Sequence, residues 1–215
     1  MNNFDVIVIG AGASGLMAGG RAGEQGLSVC LLEKKSRPGI KLSITGKGRC
    51  NITNSANLKE FISEFGNNGK FLFSAFNKFF NNDLISFFEN RGVQTRLERG
   101  GRYFPLSDDA HSIVNALIQY VKKNKVKIKT SCEVKKITKE NNSIKNIILS
   151  TGEILKAKKY ILATGGLSYP QTGSTGDGFK FAKQLGHTVI DPSPSLVPLV
   201  LDCPYLKQLN GLKLK

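Results

Sequence analysis

The stretch DVIVIGAGASGLMAG, residues 5–19, constrains this chain more than any other. Asp5 to Ile9 is a short run of branched apolar residues, the pattern of a buried strand. It runs without a spacer into Gly10, Gly12 and Gly15, a G-x-G-x-x-G set, and Ser14 to Gln25 then reads as a helix. In such a turn Gly10 permits the bend, Gly12 lets backbone approach a pyrophosphate, and Gly15 lets helix and strand pack closely. The helix start at Ala13 and Ser14 offers unpaired N–H groups and a partial positive charge. Ser28 to Leu32 reads as a second buried strand ending at Glu33, eighteen residues past Gly15, with Lys34 next to it. A carboxylate in that place accepts both hydroxyls of an adenosine ribose and disfavours a 2′-phosphate. A tight turn beside a surface glutamate is the bland alternative, and the full order of strand, turn, helix and acid argues against it. Ala13, Ser14, Glu33 and Lys34 therefore join the three glycines as expected cofactor residues.

A second glycine-rich stretch, KLSITGKGRCNITN at residues 41–54, raises the question of a Walker loop. Six residues separate Gly39 from Gly46-Lys47, and Gly48 stands where the magnesium-binding Ser or Thr belongs. A Walker loop requires four residues and that hydroxyl. Lys47 is left without a role.

At 215 residues and 40% apolar content the chain can form one sizeable core, or one domain and part of a second. Its net charge of +15 could indicate nucleic acid or membrane contact. Twelve lysines lie between Lys122 and Lys159, however, several alternating with apolar residues as in KVKIKT, the pattern of a strand with one solvated face. No interleaved aromatics or RNA-binding module accompany them, so no nucleic acid is expected as a partner. A basic surface still favours an anionic dinucleotide. Cys30, Cys50, Cys132 and Cys203 show no metal spacing, and His111 and His187 are isolated, so no metal is expected. The N-terminus has no signal-like pattern and no run of eighteen apolar residues occurs, which leads to the expectation of a cytoplasmic protein without a membrane partner.

Between Phe61 and Phe88 lie nine of the thirteen phenylalanines, and Leu58, Phe61, Ile62 and Phe65 keep helical spacing. This block reads as short helices whose rings fill a core, with an aromatic flavin box as the lesser alternative. VQTRLERGGRYFP reads as a hairpin turning at Gly100-Gly101, and Asp108 to Lys123 as a helix capped by Ser107. Lys127 to Ile137, Ile144 to Leu149 and Glu153 to Leu162 read as three strands of an antiparallel unit, and STGDGFKFAKQLGH as a glycine turn and helix. The stretch DPSPSLVPL marks the expected domain boundary.

Cys50 lacks a partner thiol at short spacing and reads as structural. His111 reads as structural too. His187, after Gly186, reads as a helix-end residue, with proton transfer as the alternative. Tyr169 and Ser174 to Asp177 could face a flavin or merely shape the turn.

FAD and NAD both fit the first turn, and three features favour FAD. A plain NAD domain would continue with a regular helix and strand after Glu33, whereas a loop and a helical block follow here. The antiparallel unit ends in ATGG, Ala163, Thr164, Gly165 and Gly166, whose glycines let backbone lie against a cofactor. The second glycine-rich stretch supplies Lys41 and Arg49 as cations for phosphate or flavin oxygens, with Gly48 letting the chain lie close.

DVIVIGAGASGLMAG, KLSITGKGRCNITN, GRYFPLSDDAHSIV, ILATGGLSYPQTGSTGDGFKFAKQLGH and PSPSLVPL occur in that order. Together they resemble the bacterial NAD(P)/FAD-dependent oxidoreductases of the aminoacetone-oxidase and bile-acid-reductase type. The resemblance implies an α/β, glutathione-reductase-like Rossmann fold for FAD, a parallel sheet with an antiparallel meander and a helical insertion. It also implies that Val134 meets the adenine through its backbone and that Lys41, Arg49 and Asn51 line the FAD. Members of that family continue into a substrate-side domain and return to close over the flavin. Residues 1–192 are thus expected to be an incomplete FAD-binding domain and residues 193–215 the start of a second one. The function expected is hydride or electron transfer to an unidentified small molecule, with NAD(P)H as the candidate donor. A flavin-dependent tRNA-modifying enzyme and a non-catalytic nucleotide-binding fragment are the alternatives.

Overall fold

A computed structural model of the chain describes residues 3–194 and Tyr205. Cys203, and the expected second domain apart from Ser193, Pro194 and Tyr205, lie outside the described residues.

Strand β1 (Asn3–Ile9) is the centre around which the rest is arranged. It pairs in parallel with β2 (Val29–Leu32) on one side and β9 (Ile154–Leu162) on the other, and β2 pairs in parallel with β6 (Lys127–Lys129). Val6 to Ile9 of β1 and the whole of β2 are buried on both faces and read as continuous apolar runs, whereas β6 and β9 carry lysines on their exposed sides. Val6, Val8, Val29 and Leu31 share one core with Leu16 of helix α1 (Ala13–Glu24) and with Ile113, Leu117 and Val121. Ile7, Ile9, Cys30 and Leu32 share the other with Ile137, Ile147, Leu149 and Leu155.

The second core lies under an antiparallel meander of β7 (Val134–Glu140), β8 (Ser143–Leu149) and the beginning of β9. The sheet order is β6-β2-β1-β9-β8-β7. Strand β9 belongs to both parts, since Ile154 and Leu155 pair with β8 while residues 156–162 run beside β1. The expected strand from Lys127 to Ile137 is therefore two strands in different parts of the sheet. The break falls where Ser131 takes φ 51° and where the amides of Ser131 and Cys132 donate to the carbonyls of Lys35 and Glu33. Those bonds turn the chain away from β2.

The insertion comprises α2 (Ile40–Ile44), β3 (Thr53–Asn54), α3 (Leu58–Ser63), α4 (Phe73–Phe76) and α5 (Asn81–Glu89). The hairpin of β4 (Thr95–Glu98) and β5 (Arg102–Pro105) follows, and β5 also pairs with β3. Core filling by the phenylalanines holds for Phe88 and, at the core's margin, Phe87. Phe61, Phe65, Phe76 and Phe80 instead stack on one another at the surface, with centroids 5.3–6.2 Å apart, and Phe71 is 89% exposed. Helical spacing aligned these rings, but α3 and α4 pack on the segment Gly66–Leu72 that connects them rather than on the sheet.

Helix α6 (Ala110–Lys123) packs across α1, and α7 (Asp177–Leu185) closes the meander side through Phe181. The cap of α6 is Asp109, whose carboxylate accepts from the His111 amide at 2.8 Å, not Ser107. Ser107 instead accepts weakly from the Asp109 amide at 3.4 Å.

Candidate functional site

The C-terminal ends of β1, β2 and β9 lie side by side, and the chain leaves each through a turn that cannot continue the sheet. Between these turns and α7 is a cleft of about 620 Å³. Among its walls are Gly10, Gly12, Ala13, Ser14, Glu33, Lys34, Lys41, Val134, Ala163, Thr164 and Gly165. Gly15, Gly48, Arg49, Asn51 and Gly166 do not line it.

The three glycines of the first turn divide by what a side chain would meet. At Gly10, φ is 102° and a methyl group would sit 2.4 Å from the Ala163 carbonyl oxygen; at Gly15 it would sit 1.8 Å from the Gly10 oxygen. Those two are required by the protein itself. Gly12 has φ −76° and ψ −170°, open to any residue, and a methyl group there would meet nothing within 4 Å. It caps α1 with no side-chain hydrogen bond, and no acid stands in the first turn. The opening amides of α1 have no intrahelical acceptor and their residues border the cleft, the arrangement that receives an anion.

Glu33 is more engaged than its spacing suggests. One carboxylate oxygen accepts from the Ala11 amide at 3.0 Å and the other from the Lys35 amide at 2.8 Å. The carboxylate thereby holds the glycine turn against the end of β2, and each oxygen keeps a further lone pair able to accept. A second tie runs from the Gly39 amide to the Ala11 carbonyl at 2.9 Å, so the loop after Glu33 is sewn to the same turn. That loop brings Arg37, Gly39, Ile40 and Thr45 into the wall beside Lys41, whose ammonium pKa is lowered by burial. Arg37 was not expected, although its place two residues before Gly39 was a usable signal. Cys132, Ser174 and Asp177 also line the cleft, and Tyr169 stands outside it, 60% exposed.

Arg49 is placed elsewhere. Its guanidinium lies 4.2 Å over the Phe104 ring, pairs with Glu98, and bonds Asp108 at 2.6 Å. Arg96 bonds the same two carboxylates at 2.9 and 2.5 Å, closing a ring of four charges. The hydrogen bond from Arg49 holds the carboxyls of both Glu98 and Asp108 below their ordinary values. Gly46, Lys47 and Gly48 have φ of 56°, 57° and 84°, a left-handed turn that brings Arg49 to its partners. Asn51 is exposed beyond this turn.

Cys50 is buried and burial pushes its thiol up, as it pushes Cys30 up to about 11; both are free thiols. His111 pairs with its own helix cap, Nδ1 to the Asp109 carboxylate at 2.9 Å. His187 is exposed just past α7, its amide donating to the Ala182 carbonyl. Among the described residues no group of three or more His, Cys, Asp or Glu could hold a metal, and no helix is long and apolar enough to cross a membrane.

Residues 4–200 match the family described as the HI0933-like protein Rossmann domain. The ribosomal RNA dihydrouridine synthase of Escherichia coli (strain K12) is 33% identical over 212 residues, 99% of this chain and 52% of that protein. The 3-dehydro-bile acid delta(4,6)-reductase of Clostridium scindens is 34% identical over 203 residues, 93% of this chain and 48% of that protein. The chain thus spans about half the length of these relatives. Among solved structures, the open conformation of a flavocytochrome c3 fumarate reductase superposes with a TM-score of 0.69 at 21% identity, over 86% of this chain and 41% of that one. At that identity the likeness establishes the Rossmann-type fold.

Proposed function

The chain belongs to the HI0933-like Rossmann family, and from that premise we propose that it is the FAD-binding part of a flavoprotein oxidoreductase. The observation that carries this reading is Gly12. Neither backbone conformation nor packing requires a glycine there, and its missing side chain opens onto the cleft at the start of α1. A pyrophosphate lying against that helix end accounts for it.

In this reading the amides at Gly12, Ala13 and Ser14 receive the diphosphate. The lone pairs left on Glu33 accept the adenosine ribose hydroxyls, and Val134 meets the adenine through its backbone. Lys41, with Ala163, Thr164, Gly165 and the neighbouring Gly166, attends the flavin side. Gly48, Arg49 and Asn51 support the second loop from behind. When bound, FAD supplies a ring that accepts and donates a hydride or electrons. The residues of the chain bind it, orient it and keep water from its inner face.

NAD(P)H is the proposed donor and a small unsaturated molecule the proposed acceptor, as the name of the bile acid reductase relative suggests. A second reading, reduction of a base in RNA, is favoured by the name of the ribosomal RNA dihydrouridine synthase and by the net charge of +15. It weighs against the expectation of no nucleic acid partner. A cytoplasmic location fits either.

The test is purification of the full-length protein, followed by denaturation and identification of the released chromophore. Yellow protein releasing stoichiometric FAD is expected. Colourless protein that binds NAD and rejects FAD would overturn the proposal. Anaerobic bleaching of the flavin by NADH or NADPH, then reoxidation by an enone or by an RNA transcript, separates the two readings.

A further inference from the structure

Lys34 is an expected cofactor residue on the β2 side whose ammonium is already taken by the opposite wall. Its Nζ donates to the Thr175 hydroxyl and to the Asp177 carboxylate, each at 2.6 Å, and the Thr175 hydroxyl donates in turn to the same carboxylate at 3.0 Å. Lys34 follows directly on Glu33, at the ribose end of the cleft, whereas Asp177 opens α7, 143 residues further on. Both side chains border the cleft and both are about three-quarters buried, at 23% and 25% exposure. The backbone leans on the same place, since a methyl group at Gly173 would lie 3.4 Å from the stems of both Lys34 and Lys35. Burial raises the Asp177 pKa, but the hydrogen bonds from Lys34 and Thr175 and the charges of Lys34 and Lys180 outweigh it, so the carboxyl stays ionised.

We propose that Lys34, Thr175 and Asp177 form a clasp joining the two walls of the cleft at its adenosine end, and that this clasp retains FAD. Lys34 is then a positioning residue that acts through Asp177 and makes no bond to the cofactor. The inference rests on the proposed FAD site. An adenosine held by Glu33 and Val134 lies between the walls that the clasp joins, so its departure requires the walls to part.

The experiment measures FAD dissociation from the full-length holoprotein, by the rise in flavin fluorescence as excess phosphodiesterase hydrolyses the released FAD to FMN and AMP. Wild type, Lys34→Gln, Asp177→Asn and the double variant are compared, with melting of each apoprotein alongside. The clasp predicts that each single variant releases FAD at least tenfold faster and that the double variant is no faster than either. It also predicts that high salt accelerates release more from wild type than from the variants. If Lys34 touches FAD directly, Asp177→Asn should leave release unchanged or slow it, and that result overturns the clasp. Equal release rates for all four proteins overturn it as well. Wild-type protein that holds no FAD would instead refute the cofactor reading on which the clasp rests, and an apoprotein melting shift as large as the rate effect would assign the pair to the fold alone.

Discussion

Replacing Gly12 by alanine should remove FAD from the cleft while leaving the fold in place, and its two neighbours supply the contrast. The new methyl group meets no protein atom within 4 Å, and φ −76° suits alanine. What remains is the poorer helix cap, about 0.5–1 kcal/mol, or a fall in apoprotein Tm of at most about 4 °C for a domain of this size. Gly15→Ala places its methyl 1.8 Å from the Gly10 oxygen, so the turn itself must move. Overpacking of that kind costs roughly 1–3 kcal/mol or more. Gly10→Ala adds left-handed strain, about 1–2 kcal/mol, to a clash at 2.4 Å with the Ala163 oxygen. The assay is melting of each full-length variant with and without FAD, plus flavin content by absorbance. At a hundredfold excess over Kd, FAD should stabilise wild type by about 2.7 kcal/mol, roughly 5–11 °C, and Gly12→Ala not at all. A Gly12→Ala protein that keeps stoichiometric FAD would refute the reasoning. So would an apoprotein that melts as low as Gly15→Ala, because Gly12 would then be a packing residue.

Glu33→Ala removes two backbone hydrogen bonds to a charged acceptor, each worth about 1.5–3 kcal/mol, so it should lower apoprotein stability as well as FAD affinity; a titration showing weaker FAD with unchanged apoprotein melting would limit the carboxylate to the ribose. Arg49→Ala should lower the melting temperature, since Glu98, Asp108 and the Phe104 ring lose their shared cation, yet retain FAD content, and loss of flavin from a normally stable apoprotein would bring Arg49 to the cofactor. The folded pKa of Asp177 lies below its ordinary 3.8, so the unfolded chain takes up the proton first on acidification. Its contribution is complete above the ordinary value and vanishes as pH falls through the folded pKa. Stability measured against pH should therefore show wild type above Asp177→Asn at neutral pH and the two converging below about pH 4.

The first turn was legible because everything that specifies it is local: a branched apolar run, three glycines and an acid at fixed spacing. The rest depended on distant chain. Lys127 to Ile137 begins in alternation and carries no Gly or Pro, and the carbonyls of Glu33 and Lys35 reveal where it must break. Ser107 and Asp109 are both good capping residues, and local geometry chose the second. Arg49 lies between glycines as a cofactor cation would, but its partners are 49 and 59 residues away. Lys34 likewise reads as a cofactor residue until Asp177 arrives from the far side of the cleft. Phenylalanine spacing located α3 and α5, whereas only Phe73–Phe76 of FLFSAFNKFF is α-helical, and spacing carries no information on what packs against the rings.

Strand β9 has a consequence for how the molecule is made. Asn3 pairs with Lys156, so one flank of β1 stays open until some 150 further residues have left the ribosome. At about 5–20 residues per second that is roughly 8–30 s. During this interval Val6 to Ile9, none more than 6% exposed in the finished fold, present an unpaired apolar edge, the kind that recruits other chains. Among the described strands β1 thus waits longest for its second neighbour, and slow synthesis lengthens that wait.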